Sequence, residues 1–216
     1  MPKLTDEQVL DAHLDDWRKL AQALHARFLT GDVTSGVAFV GAVSRVSHDI
    51  GGFPEVRLTT AWVELKLSTQ EDGWCVTERD VELARRISAV AGECGAVPDP
   101  KAVAQVELGL DTADIAGQGP FWAALLTGSR EGAVHDEVID ADFRVPNLWF
   151  QQTEPHPTPR QRFHVDLWLA HDAAEERIAA AVAAGGSVVD DSNAPSFVVL
   201  TDLEGNRACI CTCLDR

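Results

Sequence analysis

Residues 1–98 carry apolar positions that are spaced mainly for helices. A T-x-x-Q capping box at residues 5–8, followed by apolar side chains at helical spacing over residues 10–28, predicts a first helix. A second helix is predicted over residues 35–46, ending at the glycine pair 51–52. Thr77 is placed to cap a third helix with an apolar stripe on one side.

A β region lies between the second and third of these helices. Residues 56–67 alternate apolar and polar, but the phase changes between Thr60 and Trp62, which predicts either a bulge or two separate strands. Residues 91–105 then hold two glycines and two prolines, which interrupt regular structure. We therefore predict two domains, residues 1–98 and residues 99–216.

After this boundary one pattern occurs twice. Residues 105–128 and 164–186 each contain an alternating strand, an acidic cap, a helix and a glycine stop, and β-rich stretches follow each copy. Such self-similarity predicts a tandem βαβββ repeat. The fold class predicted for the whole chain is α+β.

Side-chain alternation sorts the opening strand of each repeat into two faces. The face that the helices are expected to cover is apolar: Val106, Leu108, Leu110, Val165, Leu167 and Leu169. The opposite face is polar: Gln105, Glu107, Gly109, Asp111, His164, Asp166 and Trp168. We expect a polar ligand cavity on this second face, and the alternative is a set of satisfied or solvated side chains.

Candidate chemistry concentrates on the polar face. His164 and Asp166 are two positions apart on one strand, so the carboxylate can orient or charge the imidazole for acid–base work. Glu107 is the third candidate catalytic residue. Gln105 and Trp168 are candidate ligand-binding residues on the same face.

Composition and charge limit the kinds of partner that the protein is expected to bind. A formal net charge of −16 disfavours nucleic acid and anionic membrane surfaces, because both require clustered basic side chains. The chain contains no apolar run of about 20 residues and no recognisable signal peptide, so we expect a cytoplasmic protein with no membrane partner. The C-terminal "CICTC" puts three of the five cysteines at a spacing of two, which predicts one strand face rather than a disulfide framework.

The first half resembles a known family. The segments "LDDWRKL", "FPEVRLTTAWVELKLST" and "VTERDVELARRI" make residues 8–92 similar to pterin-4a-carbinolamine dehydratase, also called 4a-hydroxytetrahydrobiopterin dehydratase. The resemblance implies an antiparallel sheet with helices on one face. It also implies association into homo-oligomers, since that family forms dimers and tetramers.

The catalytic corner of that family is degenerate in this sequence. His48 and Pro54 fit the family frame, but Gly52 and Phe53 stand where its histidine pair belongs, and Gln70 replaces its third histidine. Dehydration of a carbinolamine needs groups that titrate near neutrality. Glycine, phenylalanine and glutamine supply none, so we predict that carbinolamine dehydratase activity is absent.

The second half resembles the glyoxalase-like branch of the vicinal-oxygen-chelate superfamily. The resemblance covers residues 102–216 through "LWFQQTEP", "RQRFHVDLWLAHDAAEERIAAAVAAGGSVV" and "FVVLTDLEGNRACIC", and implies a cup with ligands on its concave side. By position, the metal ligands of the family fall at Gln105, Gln151 (or Gln152), His164 and Cys209. Two amides are weak donors for a divalent ion, so metal candidates reduce to His164 and Cys209, and a metal-free cup is favoured.

Two functions stay open at this level. One is a binding protein for a small polar or heterocyclic molecule, in which the glyoxalase-like domain carries the ligand cup. The other is a lyase- or isomerase-type enzyme acting in that cup, with or without a divalent metal. The cofactor, if there is one, is not identified by the sequence.

Overall fold

The computed structural model describes residues 1–70, 74–127, 131, 133–140, 145–155, 163–183, 186–201 and 207–216. The chain forms two compact units. Unit 1 comprises Met1–Ala104, Leu169–Ala173 and Thr212–Arg216, and unit 2 comprises Gln105–Trp168 and Ala174–Cys211. The fold class is α+β, as predicted, and the domain boundary at residue 98 stays a prediction.

Unit 1 contains three helices and an antiparallel sheet with strand order β1-β2-β4-β3, with a short strand, β7, also paired to β2. Its elements in chain order are α1 (Asp6–Asp11), β1 (Arg18–Leu20), β2 (Ala23–Leu29), α2 (Val33–Ile50), β3 (Glu55–Leu58), β4 (Trp62–Leu67), β5 (Thr69–Gln70), β6 (Trp74–Cys75), α3 (Glu78–Glu93) and β7 (Val97–Pro98). A 3₁₀ helix, Pro100–Ala102, follows.

The core of unit 1 forms where the helices cover one face of this sheet. Alternate residues of β2 and β4 are almost fully buried: Leu24, Ala26, Phe28, Val63, Leu65 and Leu67. Phe28 packs edge-on against Phe39 of α2, with ring centroids 5.3 Å apart. The predicted antiparallel sheet with helices on one face is thereby confirmed.

The predicted helix over residues 10–28 is wrong. Helix α1 ends at Asp11, His13 takes a left-handed backbone with φ of 50°, and the chain then enters β1 and β2. The apolar residues at 24 and 28 suit a helical spacing as well as alternation with residue 26. The six-residue antiparallel pairing of β2 with β4 selects the strand over the helix. The periodicity of residues along the chain contains no information about this pairing.

The structure confirms the second helix, the third helix and the change between strands that the sequence predicts for this unit. Helix α2 begins after Asp32, whose carboxylate accepts from the Ser35 amide at 2.7 Å, and ends at Gly51, whose φ of 79° is left-handed. The phase change near Thr60 separates two strands, β3 and β4, which pair antiparallel. Helix α3 begins directly after Thr77.

Unit 2 is the predicted tandem repeat. The first copy is β8 (Ala104–Thr112), α4 (Ile115–Thr127), β9 (Ala133–Val134), β10 (Glu137–Val138) and β11 (Leu148–Gln152), and the second is β12 (Phe163–Leu169), α5 (Ala174–Ala183), β13 (Ser187–Asp190), β14 (Phe197–Thr201) and β15 (Arg207–Cys211). The strands form one sheet in the order β13-β14-β15-β12-β8-β11-β10-β9. The opening strands of the two repeats are therefore neighbours at its centre.

Two details of unit 2 differ from the sequence prediction. On the apolar face, Leu110 and Leu169 are buried, but Val106 and Val165 are 44% and 42% exposed, because the apolar cluster forms around the later residues of β8 with Leu148 and Phe150. In addition, β15 ends at Cys211, so Cys213 does not share a strand face with the other two cysteines of its motif. All five cysteines are free thiols.

Within the described part of the chain, no helix combines the length and the apolar character that crossing a membrane would require.

Candidate functional site

The polar face of β8 and β12 is the centre of unit 2. Glu107, Asp166 and Trp168 are 4%, 6% and 7% exposed, whereas His164 and Asp111 keep side-chain exposures of 19% each. A buried carboxylate is costly unless hydrogen bonds satisfy it. The contacts of these groups therefore decide which side chains can still meet a ligand.

Two indole–carboxylate hydrogen bonds cross between the repeats. Trp168 of the second repeat donates its indole N–H to Glu107 of the first at 2.8 Å. Trp149 of the first repeat, on β11, donates to Asp166 of the second at 2.7 Å. We call these two pairs the indole locks. Hydrogen bonds to charged groups contribute about 1.5–3 kcal/mol each, so the locks fix the two repeats against each other.

Amide groups complete the surroundings of Glu107. The side-chain nitrogens of Gln105 and Asn147 both lie 3.4 Å from Glu107 Oε1, opposite the oxygen that accepts from Trp168. Gln105 Oε1 is buried and forms no hydrogen bond with the described residues. Glu107 thus lies inside a polar network rather than on an open surface.

His164 is bracketed by carboxylates. Its Nε2 lies 3.5 Å from Asp166 Oδ1, and its Nδ1 lies 3.8 Å from Asp111 Oδ1. The imidazole packs edge-on against Trp149, with ring centroids 5.0 Å apart. Each ring nitrogen thus faces a group that can accept its proton, which suits both hydrogen-bond recognition and proton transfer.

Gly109 makes room for this ring. A Cβ atom at Gly109 would overlap the Cε1, Nε2 and Nδ1 atoms of His164, all of them closer than the 3.0 Å that real Cβ contacts keep. The imidazole therefore rests on the Gly109 backbone, and a larger residue would displace it. The position aligned with Gly109 in the second repeat holds Trp168.

The remaining predicted ligand residues lie on flanking strands. Gln151 of β11 is exposed beside Asp111, its Cα partner in the parallel pairing. Cys209 of β15 is half-buried beside Asp166, its partner in the other parallel pair. The parallel registers therefore place Gln105, Gln151, His164 and Cys209 on one face of the sheet.

These donors do not fit a divalent metal. The amide nitrogen of Gln105 points to Glu107. Among the described side chains, no group of three or more His, Cys, Asp or Glu is arranged to hold an ion. Two amides, one imidazole and one thiol are also a poor donor set for a first-row divalent ion.

The corner at the end of α2 in unit 1 carries no histidine pair. His48 is exposed, Phe53 is 65% exposed, and Gln70 is exposed opposite Trp74 in the antiparallel pair of β5 and β6. Gly52 lies beside α3, where a Cβ would be 3.7 Å from Arg79 Nε. None of the side chains at positions 52, 53 and 70 can transfer a proton near neutral pH.

A buried polar network lies behind this corner, and the sequence predictions did not include it. Asp80 accepts from the Thr77 amide at 2.8 Å, the Thr77 hydroxyl at 2.7 Å and the Thr69 hydroxyl at 2.8 Å. Arg79 Nη2 lies 3.1 Å from Thr69 Oγ1, while its Nε is buried without a hydrogen bond to the described residues. A T-x-x-D capping box was the available signal.

Comparisons with known sequence families agree with the two-unit structure. The pterin 4 alpha carbinolamine dehydratase family profile matches residues 2–90. A glyoxalase-like domain profile matches residues 107–211. The class of protein is thus a dehydratase-like unit joined in one chain to a glyoxalase-like unit.

Known relatives match the first unit. Two proteins that carry the name putative pterin-4-alpha-carbinolamine dehydratase are similar: one from Nitrobacter winogradskyi, 33% identical over 39% of this chain and 84% of its own length, and one from Streptomyces coelicolor, 32% identical over 44% and 92%. A crystal structure of a transcriptional coactivator/pterin dehydratase from Brucella melitensis is 26% identical and covers 42% of this chain and 100% of that chain, with a TM-score of 0.40. The chain belongs to the pterin-4a-carbinolamine dehydratase family.

We predict that Gly109→Ala displaces the His164 ring. The added methyl group would overlap the imidazole, so the ring signals of His164 and the indole N–H signal of Trp149 should both shift in NMR spectra. Overpacking of this kind should lower the free energy of unfolding by about 1–3 kcal/mol.

Gly92→Ala is the matched control. Gly92 lies in α3, and apart from its chain neighbours and the backbone of its own helix no atom lies within 4 Å of the point that a Cβ would occupy. Alanine there should therefore raise stability by about 0.5–1 kcal/mol. Unchanged His164 signals in Gly109→Ala would show that the ring does not rest on this backbone.

Proposed function

We propose that this protein binds a small polar or heterocyclic molecule at the open end of the polar face of unit 2. The supporting observation is the position of His164, which is bracketed by Asp111 and Asp166 and remains partly exposed. Gln151 and the ring of Trp149 flank the same end of the face. Together they offer hydrogen-bond donors, acceptors and an aromatic surface, as small-molecule sites usually do.

The predicted residues other than Gln151 have different roles in this proposal. Glu107, Asp166 and Trp168 are buried in the indole locks and hold the site in shape. Gln105 supports Glu107, and Cys209 lies beside Asp166 on β15. His164 is the residue that would touch the ligand directly.

An enzyme acting in the same site is the second candidate. The observation that favours it is again His164, since an imidazole held between two carboxylates can accept a proton from a substrate and return it. A lyase or isomerase reaction needs such a shuttle. The carboxylates would orient the ring while a proton resides on it.

We also propose that unit 1 lacks carbinolamine dehydratase activity. Gly52, Phe53 and Gln70 stand at the positions of the family's histidines and none of them titrates near neutrality. Loss of a general acid–base group costs about 10²–10⁴-fold in rate. Unit 1 then serves for support and association.

Ligand binding is tested with the full chain and a library of small heterocycles, measured by thermal unfolding. A ligand at about 100 times its Kd stabilises the native state by about 2.7 kcal/mol. We expect His164→Gln and Asp111→Asn to weaken binding of any hit by at least about tenfold, the size expected for one lost hydrogen bond to a charged group. His48→Gln, at an exposed position of α2, should bind like the wild type.

Hits that bind His164→Gln as tightly as the wild type would overturn the site. Chemical change of a bound hit that stops in His164→Gln would favour the enzyme. A stoichiometric metal in protein purified without chelator, lost in His164→Ala, would contradict the metal-free site.

Dehydratase activity is tested directly by the dehydration of 4a-hydroxytetrahydropterin, with an active dehydratase as the positive control. We expect the rate with this protein to equal the uncatalysed rate. A rate well above it that disappears in His48→Ala would show that the remaining histidine still catalyses.

The partner proposed for unit 1 is a second copy of this chain. Strand β3 is at the edge of the sheet, all four of its residues are exposed, and Phe53 precedes it at 65% exposure. Antiparallel pairing of two β3 strands centred on Val56 places Glu55 opposite Arg57 of the other copy, twice. Opposite charges at such cross-strand positions are favourable, and paired edges no longer expose a ladder of backbone groups.

Glu55→Arg tests this pairing, since it places arginine opposite arginine at both ends of the strand pair. We expect the variant to dissociate at concentrations where the wild type is a dimer in sedimentation equilibrium. The double variant Glu55→Arg/Arg57→Glu restores opposite charges and should restore the dimer. A wild-type monomer, or a double variant that stays dissociated like the single one, would contradict the proposed edge.

A further inference from the structure

Unit 1 contains a cavity that neither the dehydratase corner nor the polar face of unit 2 uses. Its volume is about 280 Å³, and its polar lining consists of His13, Asp15, Arg18, Lys19 and His171. We propose that this cavity binds a small organic anion, a carboxylate with a short apolar body. This site is independent of the ligand site proposed for unit 2.

Most of the hydrogen-bond donors of Arg18 are already engaged. Its Nε and Nη2 donate to the two oxygens of Asp172 at 3.3 and 2.9 Å, and its Nη1 donates to the carbonyls of Asp15 and Trp17. The hydrogen bond from Arg18 lowers the pKa of Asp172. A guanidinium has five N–H groups, so one remains for a ligand.

Lys19 and the two histidines supply further donors. The ammonium of Lys19 lies 3.2 Å from Asp6 and donates to the carbonyl of Ala21, which leaves one of its three N–H groups. The side chains of His13 and His171 form no hydrogen bond with the described residues, and even a neutral imidazole carries one N–H. Four residues of one lining therefore have a donor to spare, which suits a ligand rich in acceptor oxygens.

Among the described residues that line the cavity, Asp15 carries the one carboxylate. Cys213 also lines the cavity, and its thiol could become negative by losing a proton. Burial raises the pKa of this thiol, and the nearby Asp6 carboxylate raises it further. The thiol therefore stays protonated at neutral pH and adds no negative charge. The carboxylates of Asp6 and Asp172 hold Lys19 and Arg18 without lining the cavity themselves.

Size and apolar lining restrict the anion further. Liquid water occupies about 30 Å³ per molecule, so the cavity accommodates roughly ten non-hydrogen atoms. Leu10, Leu14 and Leu24 line the wall as well, and they would contact a hydrocarbon group. A short-chain or single-ring carboxylate satisfies both requirements, whereas inorganic phosphate satisfies only the first.

The test is an NMR titration of the full chain with benzoate and with benzamide, its neutral isostere. We expect saturable shifts of the backbone amides of His13, Arg18 and Lys19 with benzoate, and binding of benzamide at least about tenfold weaker, because the amide lacks the charge that the donors recognise. Inorganic phosphate should bind more weakly than benzoate. This comparison needs no variant and so does not depend on refolding a mutant.

Variants then locate the site. His13→Gln/His171→Gln should weaken benzoate binding by at least about fivefold, since two N–H donors change position. Leu10→Trp, at a position 38% exposed, should fill the cavity and abolish binding in a folded protein. His48→Gln is the control and should bind like the wild type.

Any of three results would overturn the proposal. These are equal affinity for benzoate and benzamide, shifts confined to β8 and β12, and undiminished binding by a folded Leu10→Trp variant. Absence of saturable benzoate binding to the wild type would overturn it as well.

Discussion

The indole locks are the constraint on which unit 2 depends. The carboxyl groups of Glu107 and Asp166 have almost no access to water, and an unsatisfied carboxylate at such a depth would cost several kcal/mol. Each receives an indole N–H from the opposite repeat, so each repeat satisfies the other. The same bonds set the position of Trp149, whose ring borders His164. The buried hydrogen bonds therefore determine the shape of the accessible end of the face.

In unit 1 the burial of alternate residues plays the corresponding role. The ladder between β2 and β4 presents Ala26, Phe28, Val63 and Leu65 to the helices, and the helices close over them. The caps of α2 and α3 are short-range interactions encoded within a few residues. The ladder is a long-range interaction, and it overrides local periodicity where the two conflict.

That difference explains how far the sequence could predict the fold. Caps, glycine stops and the duplicated pattern around residues 105 and 164 are local signals, and the elements they predict are present. The helix expected at 10–28 failed because residues 24 and 28 fit two periods, and only pairing with β4 distinguishes them. Val106 is exposed because the apolar cluster with α4 forms around the later residues of β8, and Val165 is exposed as well.

The candidate site was predicted in outline for a similar reason. Period-two alternation places Glu107, His164 and Asp166 on one face, but the identity of their partners depends on which strands are neighbours. Trp149 lies on β11, which β8 separates from β12 in the sheet, so its hydrogen bond to Asp166 carried no sequence signal. Nor did spacing show that Glu107 would be buried while Asp111 stays partly exposed.

Gly109 and Trp168 occupy equivalent places in the two repeats, "QVELGL" and "HVDLWL", and this difference breaks the internal symmetry of the unit. Two tryptophans would leave no space for an imidazole, and two glycines would remove one of the locks. The two repeats thus differ at one aligned position, and only the repeat with glycine there leaves space for a partly exposed imidazole. A duplicated sheet of this kind consequently has a single open end in each chain, not one for each of its halves.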